Sequence, residues 1–172
     1  MIAFLSVVVG FIVAIGAYFY YDTHVAEVSN TETERTETIT QPPIEIPALT
    51  TINRSGQNLT EMPKDILSMT QVQELNLSNN RLTGALPAEI RHLQNLVILN
   101  ISDNNMTGLP AEIGQLSKLQ ILNASNNQLT GIPHELGNLQ NLELLDLSGN
   151  DISEYDLDSI RERLPASVEI RL

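Results

Sequence analysis

The chain has 172 residues, a formal net charge of -12 and no cysteine. The absence of cysteine excludes disulfide bonds, thiolate metal ligands, cysteine nucleophiles and lipid attachment through cysteine within this sequence. Acidic residues exceed basic ones by 21 to 9 and the basic ones are scattered, which makes nucleic acid and acidic lipid surfaces poor partners.

Residues 2–21 form an uncharged stretch of twenty residues, IAFLSVVVGFIVAIGAYFYY. At about 1.5 Å per residue, a helix of this length matches the roughly 30 Å hydrocarbon core of a bilayer. Aromatic residues close the stretch at positions 18–21, as is typical of a segment that ends at the headgroup boundary. We therefore predict a transmembrane signal-anchor helix over residues 1–21.

A cleaved secretory signal is the alternative, because the tripeptide Ala14-Ile15-Gly16 places two small residues, Ala14 and Gly16, at a suitable spacing for cleavage. No Lys or Arg precedes the apolar run, and the run continues for five residues beyond that point. Both observations favour the anchor over the cleaved signal. Either interpretation directs the chain to a membrane.

Orientation in the membrane is not set by nearby charges, because the first basic residue is Arg35. An N-terminal anchor followed by a long domain usually places that domain outside, so we expect a single-pass membrane protein with an extracytoplasmic domain. Ser6, Gly10 and Ala14 lie four residues apart, a spacing that lets two helices approach closely. This pattern allows a weak homodimer through the helix, although small residues are common in membrane spans in any case.

Residues 22–48 are rich in Thr, Glu and Pro, with TETERTET at residues 31–38 and QPPIEIP at residues 41–47. Such a composition buries too little apolar surface to offset the entropy of ordering the chain. Prolines and like charges also extend a segment of this kind. We predict a disordered stalk between the membrane helix and the next domain.

Beyond residue 48 the sequence repeats with a period of 23 or 24 residues. The segment VQELNLSNNRL at residues 72–82 recurs as LVILNISDNNM, LQILNASNNQL and LELLDLSGNDI. Leucines alternate with polar residues in each segment, which predicts a short strand with its apolar side chains turned inward. The aligned segments begin at Leu49, Val72, Leu96, Leu119, Leu142 and Pro165.

The second half of each repeat reads P-x-(D/E)-(I/L)-x-x-(L/M), beginning at Pro63, Pro87, Pro110 and Pro133. Proline suits the first turn of a helix, and a carboxylate in that turn faces the positive end of the helix dipole. The pattern predicts a short helix or single helical turn in each repeat. The residues predicted to pack inward are Ile66, Ile90, Ile113 and Leu136, with Met69, Leu93, Leu116 and Leu139 one turn later.

The pattern L-x-x-L-x-L-x-x-N-x-L resembles the leucine-rich repeat family. LTG followed by LP or IP, at residues 82–87 and 129–133, is similar to the plant-type and bacterial variants of that family. The resemblance implies an α/β fold, a leucine-rich repeat solenoid with a parallel sheet of short strands on its concave face and short helices or turns on its convex face.

We divide residues 49–172 into an N-terminal cap repeat, four further repeats and a C-terminal cap, because an open apolar end of a solenoid must be covered. In the C-terminal cap we predict a helix from about Tyr155 to Leu164, with Val168 and Ile170 at the strand positions of one more coil. The boundaries are 49–71 for the N-terminal cap, 72–95, 96–118, 119–141 and 142–152 for the repeats, and 153–172 for the C-terminal cap.

One asparagine in each repeat follows the strand, where a tight turn leaves buried backbone groups without partners. Its amide can satisfy those groups, so we interpret these asparagines as structural. This asparagine ladder consists of Asn80, Asn104, Asn127 and Asn150.

The outward strand positions form three columns across the concave face. One contains apolar side chains, a second amides and a third hydroxyls, a combination suited to an extended peptide or a helix of a partner protein. The alternative is that recent repeat duplication made the columns alike without selection for a ligand. The predicted binding face consists of Glu74, Asn76, Ser78, Ile98, Asn100, Ser102, Ile121, Asn123, Ser125, Leu144, Asp146 and Ser148.

We expect no metal, no cofactor and no enzymatic activity. His24, His92 and His134 lack ligand partners at a useful spacing, and the anchor, stalk and repeats leave no residues for a catalytic domain. The leading hypothesis is a membrane-anchored protein-interaction module, receptor-like, adhesive or an envelope scaffold, with a protein or peptide ligand. The alternatives are a cell-wall carbohydrate-binding module and a regulatory or targeting subunit of a separate enzyme.

Overall fold

The computed structural model describes residues 50–172. The predicted membrane helix, the predicted stalk and Leu49 lie outside the described residues. Within residues 50–172, no helix combines the length and the apolar character that a membrane span requires.

A six-stranded parallel sheet runs through the described part of the chain, with one strand from each coil. Its strands are neighbours in chain order, as the repeat predicts, because every coil returns the chain to the same place beside the previous strand. This confirms the α/β solenoid with parallel strands. In order, they are β1 (Thr51–Asn53), β2 (Glu74–Asn76), β4 (Ile98–Asn100), β6 (Ile121–Asn123), β7 (Leu144–Asp146) and β8 (Glu169–Arg171).

The register between strands aligns equivalent positions of successive repeats. Leu75 pairs with Leu99, and Leu122 pairs with Leu145. These inward leucines are fully buried, and each such side chain stabilises the fold by about 1.5 to 3 kcal/mol through removal of apolar surface from water. The core is therefore a continuous stack of aligned apolar side chains.

Within the described coils, four 3₁₀ helices lie on the other side of the core. They are η1 (Ile66–Ser68), η2 (Ala88–His92), η3 (Ala111–Gln115) and η4 (His134–Asn138), and they provide the predicted helical turns. Their buried apolar residues are Ile66, Ile90, Ile113 and Leu136, and the residues that follow the last three helices, Leu93, Leu116 and Leu139, are buried as well. The prediction for Met69 is wrong, because this side chain is 40% exposed. Met69 belongs to the first described coil, and among residues 50–172 that coil has a neighbour on one side only.

The main chain of η3 lies very close to the next coil at Gly114. A Cβ atom on this residue would overlap the main-chain oxygen of Glu135 in the next coil. Gly137 is the equivalent residue one coil later, and a Cβ atom there would overlap Arg163. One coil earlier the equivalent residue is Arg91, so the requirement for glycine applies to η3 and η4 and not to η2.

A second, two-stranded parallel sheet was not predicted from the sequence. It pairs β3 (Thr83–Gly84) with β5 (Asn105–Met106). β3 lies in the LTG segment, where Gly84 has a φ of +68° that favours glycine. The LTG motif therefore forms a strand beside the next coil as well as a turn.

The C-terminal cap consists of helix α1 (Glu154–Arg161) and strand β8. α1 buries Leu157 and Ile160 against the last coil, and it ends three residues earlier than predicted. Ile170 pairs with Leu145, whereas the period of 23 places Val168 at that position. The predicted register is wrong by two residues because the helix and its exit turn use more chain than a 3₁₀ helix does.

Candidate functional site

The outward side of the six-stranded sheet, which we call the sheet face, carries equivalent residues in straight columns. The register places Glu74 beside Ile98, Ile98 beside Ile121, and Ile121 beside Leu144. Neighbouring strands lie about 4.8 Å apart, so side chains in one column are in contact range. We call Ile98, Ile121 and Leu144 the apolar strip.

The apolar strip is less exposed than the sequence analysis expected. Ile98 and Leu144 are half-buried, and Ile121 between them is only 6% exposed. The central side chain is covered because each of its neighbours is also large and apolar. The strip therefore offers a shallow apolar surface rather than three projecting side chains.

The second column contains Asn76, Asn100 and Asn123, which we call the amide column. Each Oδ1 atom accepts a hydrogen bond from the main-chain N–H of the serine two residues later, at 2.9, 3.0 and 3.0 Å. Only the oxygen of an amide can accept from an N–H group, so this bond sets the orientation of the side chain. The Nδ2 groups remain to contact a ligand.

Asp146 continues the amide column on β7 with a different chemistry. One carboxylate oxygen accepts hydrogen bonds from the N–H and the hydroxyl of Ser148, at 3.0 and 2.6 Å. Aspartate therefore supports the same turn as asparagine. It presents an anionic acceptor where the amide column presents a donor.

The hydroxyl column does not belong to the accessible part of the sheet face. Ser78, Ser102 and Ser125 are 5%, 5% and 7% exposed, and Ser148 is half-buried. The prediction that these residues face outward is wrong for the first three, because they lie where the chain turns away from the strand. The Ser125 hydroxyl bonds to Asn123 Oδ1 at 2.7 Å, which is a structural contact.

The asparagine ladder ties successive coils together. Asn104 Nδ2 donates to the carbonyl oxygens of Leu77, Ile101 and Ser102 at 3.0 to 3.1 Å, and its Oδ1 accepts from the N–H of Leu82 at 2.9 Å. Equivalent bonds are formed by the other ladder residues, Asn80, Asn127 and Asn150. These side chains are directed into the turn and take no part in the sheet face.

A further column, next to the ladder, was missed in the sequence analysis. Its members have φ values between +52° and +70°, a region that favours Gly, Asn and Asp. The restriction of this position to these three residue types is the signal that predicts it. The column consists of Gly56, Asn79, Asp103, Asn126 and Gly149.

Carboxylates lie at both ends of the apolar strip. At one end Glu74 accepts a hydrogen bond from the Thr51 hydroxyl at 3.2 Å. At the other end Glu169 lies beside Leu144 in the register and bonds to Arg171 at 2.7 Å. The same guanidinium lies 4.0 Å from Asp146. Each end of the strip therefore has one negative charge in excess.

A cavity of about 470 Å³ opens on the flank that carries β3, where the 24-residue repeat meets the coil before it. Its apolar lining includes Met62, Leu82, Leu86 and Met106. None of the lining residues belongs to the six-stranded sheet, so this cavity is separate from the sheet face.

The part of the chain that the structure describes contains no group of three His, Asp or Glu side chains placed to hold a metal ion. His92 and His134 are exposed on η2 and η4, on the side opposite the sheet face, and His24 lies outside the described residues.

Comparison with known proteins identifies related sequences and folds. Residues 49–164 match a family described as a leucine-rich repeat region. The Receptor like protein 22 of Arabidopsis thaliana is 41% identical over 54 residues, which cover 31% of this chain and 7% of that protein.

Two solved structures share the fold at higher coverage of this chain. A leucine-rich repeat protein of Leptospira interrogans is 43% identical with a TM-score of 0.61, and the match covers 66% of this chain and 28% of that one. The plant peptide hormone receptor RGFR1 in complex with RGF2 is 34% identical with a TM-score of 0.57, and the match covers 71% and 21%. This chain spans less than a third of each protein.

Proposed function

The chain belongs to the leucine-rich repeat family, and from this premise we propose that it is a non-catalytic interaction module that binds a protein or peptide on its sheet face. The observation that carries the proposal is the amide column beside the apolar strip. The hydrogen bonds to the serine N–H groups orient the amides and leave their Nδ2 donors available to a ligand. The adjacent apolar strip is stabilised when a ligand removes it from contact with water. Binding of a ligand to these groups costs the protein little conformational entropy, because the amide side chains are already oriented.

The comparisons support a ligand of this kind. One similar structure is a peptide hormone receptor in complex with RGF2. A peptide or an extended protein segment is the ligand that we propose for this chain as well.

We also propose that residues 2–21 anchor the chain in a membrane as a single span, and that residues 22–48 form a stalk that carries an extracytoplasmic repeat domain. The uncharged length of the first segment and the resemblance to a receptor-like protein support this arrangement. Ser6, Gly10 and Ala14 provide the surface for a weak homodimer within the membrane.

Protease treatment of sealed cells tests the topology, with an epitope tag placed after Leu172. Removal of the tag agrees with an extracytoplasmic repeat domain. Full protection, with removal after the cells are lysed, contradicts it and places the repeats inside.

Selection from a library of displayed random 12-residue peptides tests the interaction function. The selected peptides are then measured against Ile98→Lys, which places a charge in the apolar strip at a half-buried position. Gln115→Lys is the matched control, because this side chain is exposed on η3, away from the sheet face. Binding that is lost in the first variant and kept in the second supports the proposal. Peptides that bind both variants equally contradict it.

A carbohydrate ligand is the second candidate, because sugar hydroxyls can accept from the amide column. The aromatic platforms that stack on sugars are missing from the sheet face, since Tyr155 is the sole aromatic residue of residues 50–172 and lies on α1. Retention of the chain on insoluble wall polymer, lost in an Asn100→Ala, Asn123→Ala variant, favours this candidate. A regulatory subunit of a separate enzyme is the third possibility, for which co-purification with a catalytic protein is the test.

A further inference from the structure

We infer that the ligand of the sheet face is an extended peptide with an apolar centre and a basic side chain at each end. The inference rests on the proposed function and defines the chemistry of the partner. It rests on the order of charged and apolar residues along one column of the sheet.

The column reads Thr51, Glu74, Ile98, Ile121, Leu144 and Glu169 across the six strands. Its centre is apolar, and a carboxylate stands at each end of the apolar strip. A bound ligand must therefore place uncharged groups over the strip, while its termini meet negative potential. An acidic or uncharged ligand leaves both carboxylates without a complementary charge.

The two ends differ in how much of their charge is already neutralised. Glu74 has no Lys or Arg side chain within 4 Å among residues 50–172, and its carboxylate accepts only from the Thr51 hydroxyl there. Glu169 and Asp146 share the guanidinium of Arg171, at 2.7 and 4.0 Å. One negative charge remains at each end. We expect the Glu74 end to contribute more to binding because no Lys or Arg among residues 50–172 competes for it.

The separation of the charges sets the length of the ligand. Glu74 and Glu169 are four strand steps apart, which corresponds to about 19 Å at roughly 4.8 Å per step. An extended peptide advances about 3.4 Å per residue. Its two basic residues are therefore about six positions apart, an even separation that turns both toward the sheet face, with apolar side chains at alternate positions between them.

The amide column explains why the ligand is a peptide. The Nδ2 groups of Asn76, Asn100 and Asn123 are donors, and an extended main chain offers carbonyl acceptors whatever its sequence. The amides thus hold the backbone, whereas the apolar strip and the end carboxylates select side chains.

Titration calorimetry on the full chain tests the inference with three synthetic peptides, each capped at both termini. The first has the sequence KSLSLSK, in which both lysines and both leucines point to the same side of the extended chain. The second is ESLSLSE, and the third is KKSLSLS, which keeps the composition of the first but moves both charges to one end. We expect the first peptide to bind about tenfold more tightly than either of the others, and the preference to shrink at about 1 M salt.

Variants of the column sharpen the test. Glu74→Lys is expected to abolish the preference between KSLSLSK and ESLSLSE, because one end of the apolar strip then carries a positive charge and the other keeps its negative charge. Glu89→Lys is the matched control, since it makes the same charge change at an exposed site on η2. Asn100→Asp keeps the turn, as Asp146 does naturally, but replaces a donor by an acceptor. We expect it to weaken binding of KSLSLSK at least threefold, because main-chain carbonyls no longer find a partner.

Two results separate this inference from the proposed function. If library peptides depend on Ile98 but KSLSLSK is not preferred over ESLSLSE and KKSLSLS, the charge inference is overturned and the interaction function stands. If no peptide depends on Ile98, the interaction function itself is overturned. Equal effects of Glu74→Lys and Glu89→Lys also overturn the inference, because a general change in net charge then accounts for the binding.

Discussion

Replacement of Asn104 by alanine tests whether the asparagine ladder stabilises the solenoid. The substitution removes four hydrogen bonds, but three of the acceptors keep another donor. The carbonyl oxygens of Leu77 and Ile101 still accept from the neighbouring ladder residues at 2.8 and 3.0 Å, and that of Ser102 accepts from a main-chain N–H at 3.1 Å. The N–H of Leu82 loses its partner, since it donates to Asn104 Oδ1.

The expected cost follows from this difference. An orphaned buried N–H costs about 1 to 3 kcal/mol, and the lost donor contacts add about 1 kcal/mol. We therefore expect Asn104→Ala to lower the free energy of unfolding by about 2 to 4 kcal/mol. Urea denaturation of the full chain, followed by far-ultraviolet circular dichroism, measures this change.

Asn105→Ala is the matched control, because this neighbouring side chain is exposed and forms one long hydrogen bond, from Gln128 at 3.4 Å. It should change stability by less than about 0.5 kcal/mol. If Asn104→Ala were as stable as the control, the ladder amides would contribute nothing and the reasoning would be refuted.

Asn104→Asp gives a second readout of the same site. It keeps an acceptor for Leu82 but turns a carboxylate oxygen toward three carbonyl oxygens, so burial and repulsion raise the pKa of the new side chain in the folded state. A raised pKa means that the stability of the variant is lost as pH rises. We expect its deficit relative to the parent to grow from pH 4, near the unfolded pKa of about 3.9, to pH 7. A deficit that is constant with pH contradicts this account.

Three further predictions use the same denaturation assay. Gly114→Ala should lower the free energy of unfolding by about 2 kcal/mol or more, because the added Cβ overlaps the next coil. Gly108→Ala should be neutral or slightly stabilising, because the space around its Cβ is open. Equal effects would show that the coils can move apart. Asp103→Val should lower the free energy of unfolding by about 1 to 3 kcal/mol, since a β-branched residue is strained at a φ of +54°. Asp103→Asn should lower it far less. A valine that leaves stability unchanged would contradict the requirement for Gly, Asn or Asp at this position. Leu93→Ala should lower the free energy of unfolding by about 2 to 5 kcal/mol, because this side chain is fully buried. Met69→Ala should lower it by less than about 1 kcal/mol, because Met69 is 40% exposed. Similar losses would indicate that Met69 is covered in solution.

The repeat period predicted most of the fold because each position has the same role in every coil. Leu75, Leu99, Leu122 and Leu145 lie at equivalent positions in the sequence, and the structure pairs them across the sheet. The parallel strands and the buried faces follow from this equivalence, since an alternating segment that recurs at a fixed period can bury its leucines only against its own copies. The same equivalence also places the candidate site on the outward face of those strands.

The places where prediction failed are those where the repeat is interrupted or where burial depends on a neighbour. Ile170 replaces Val168 beside Leu145 because the cap exchanges a 3₁₀ helix for an α-helix. The pairing of β3 with β5 was missed because two residues form too short a strand to show a pattern.

The sequence alone determined the family, the order of the coils, the strand positions and the residue types in each column, because these properties repeat along the chain and are local to each coil. Only the tertiary structure decided which of those residues a ligand can reach. Ile121 is covered by its neighbours while Ile98 and Leu144 stay half-exposed, and Ser102 is buried while Asn100 is not. Exposure depends on the side chains of adjacent coils and on where each strand turns away from the sheet, and no single coil contains that information.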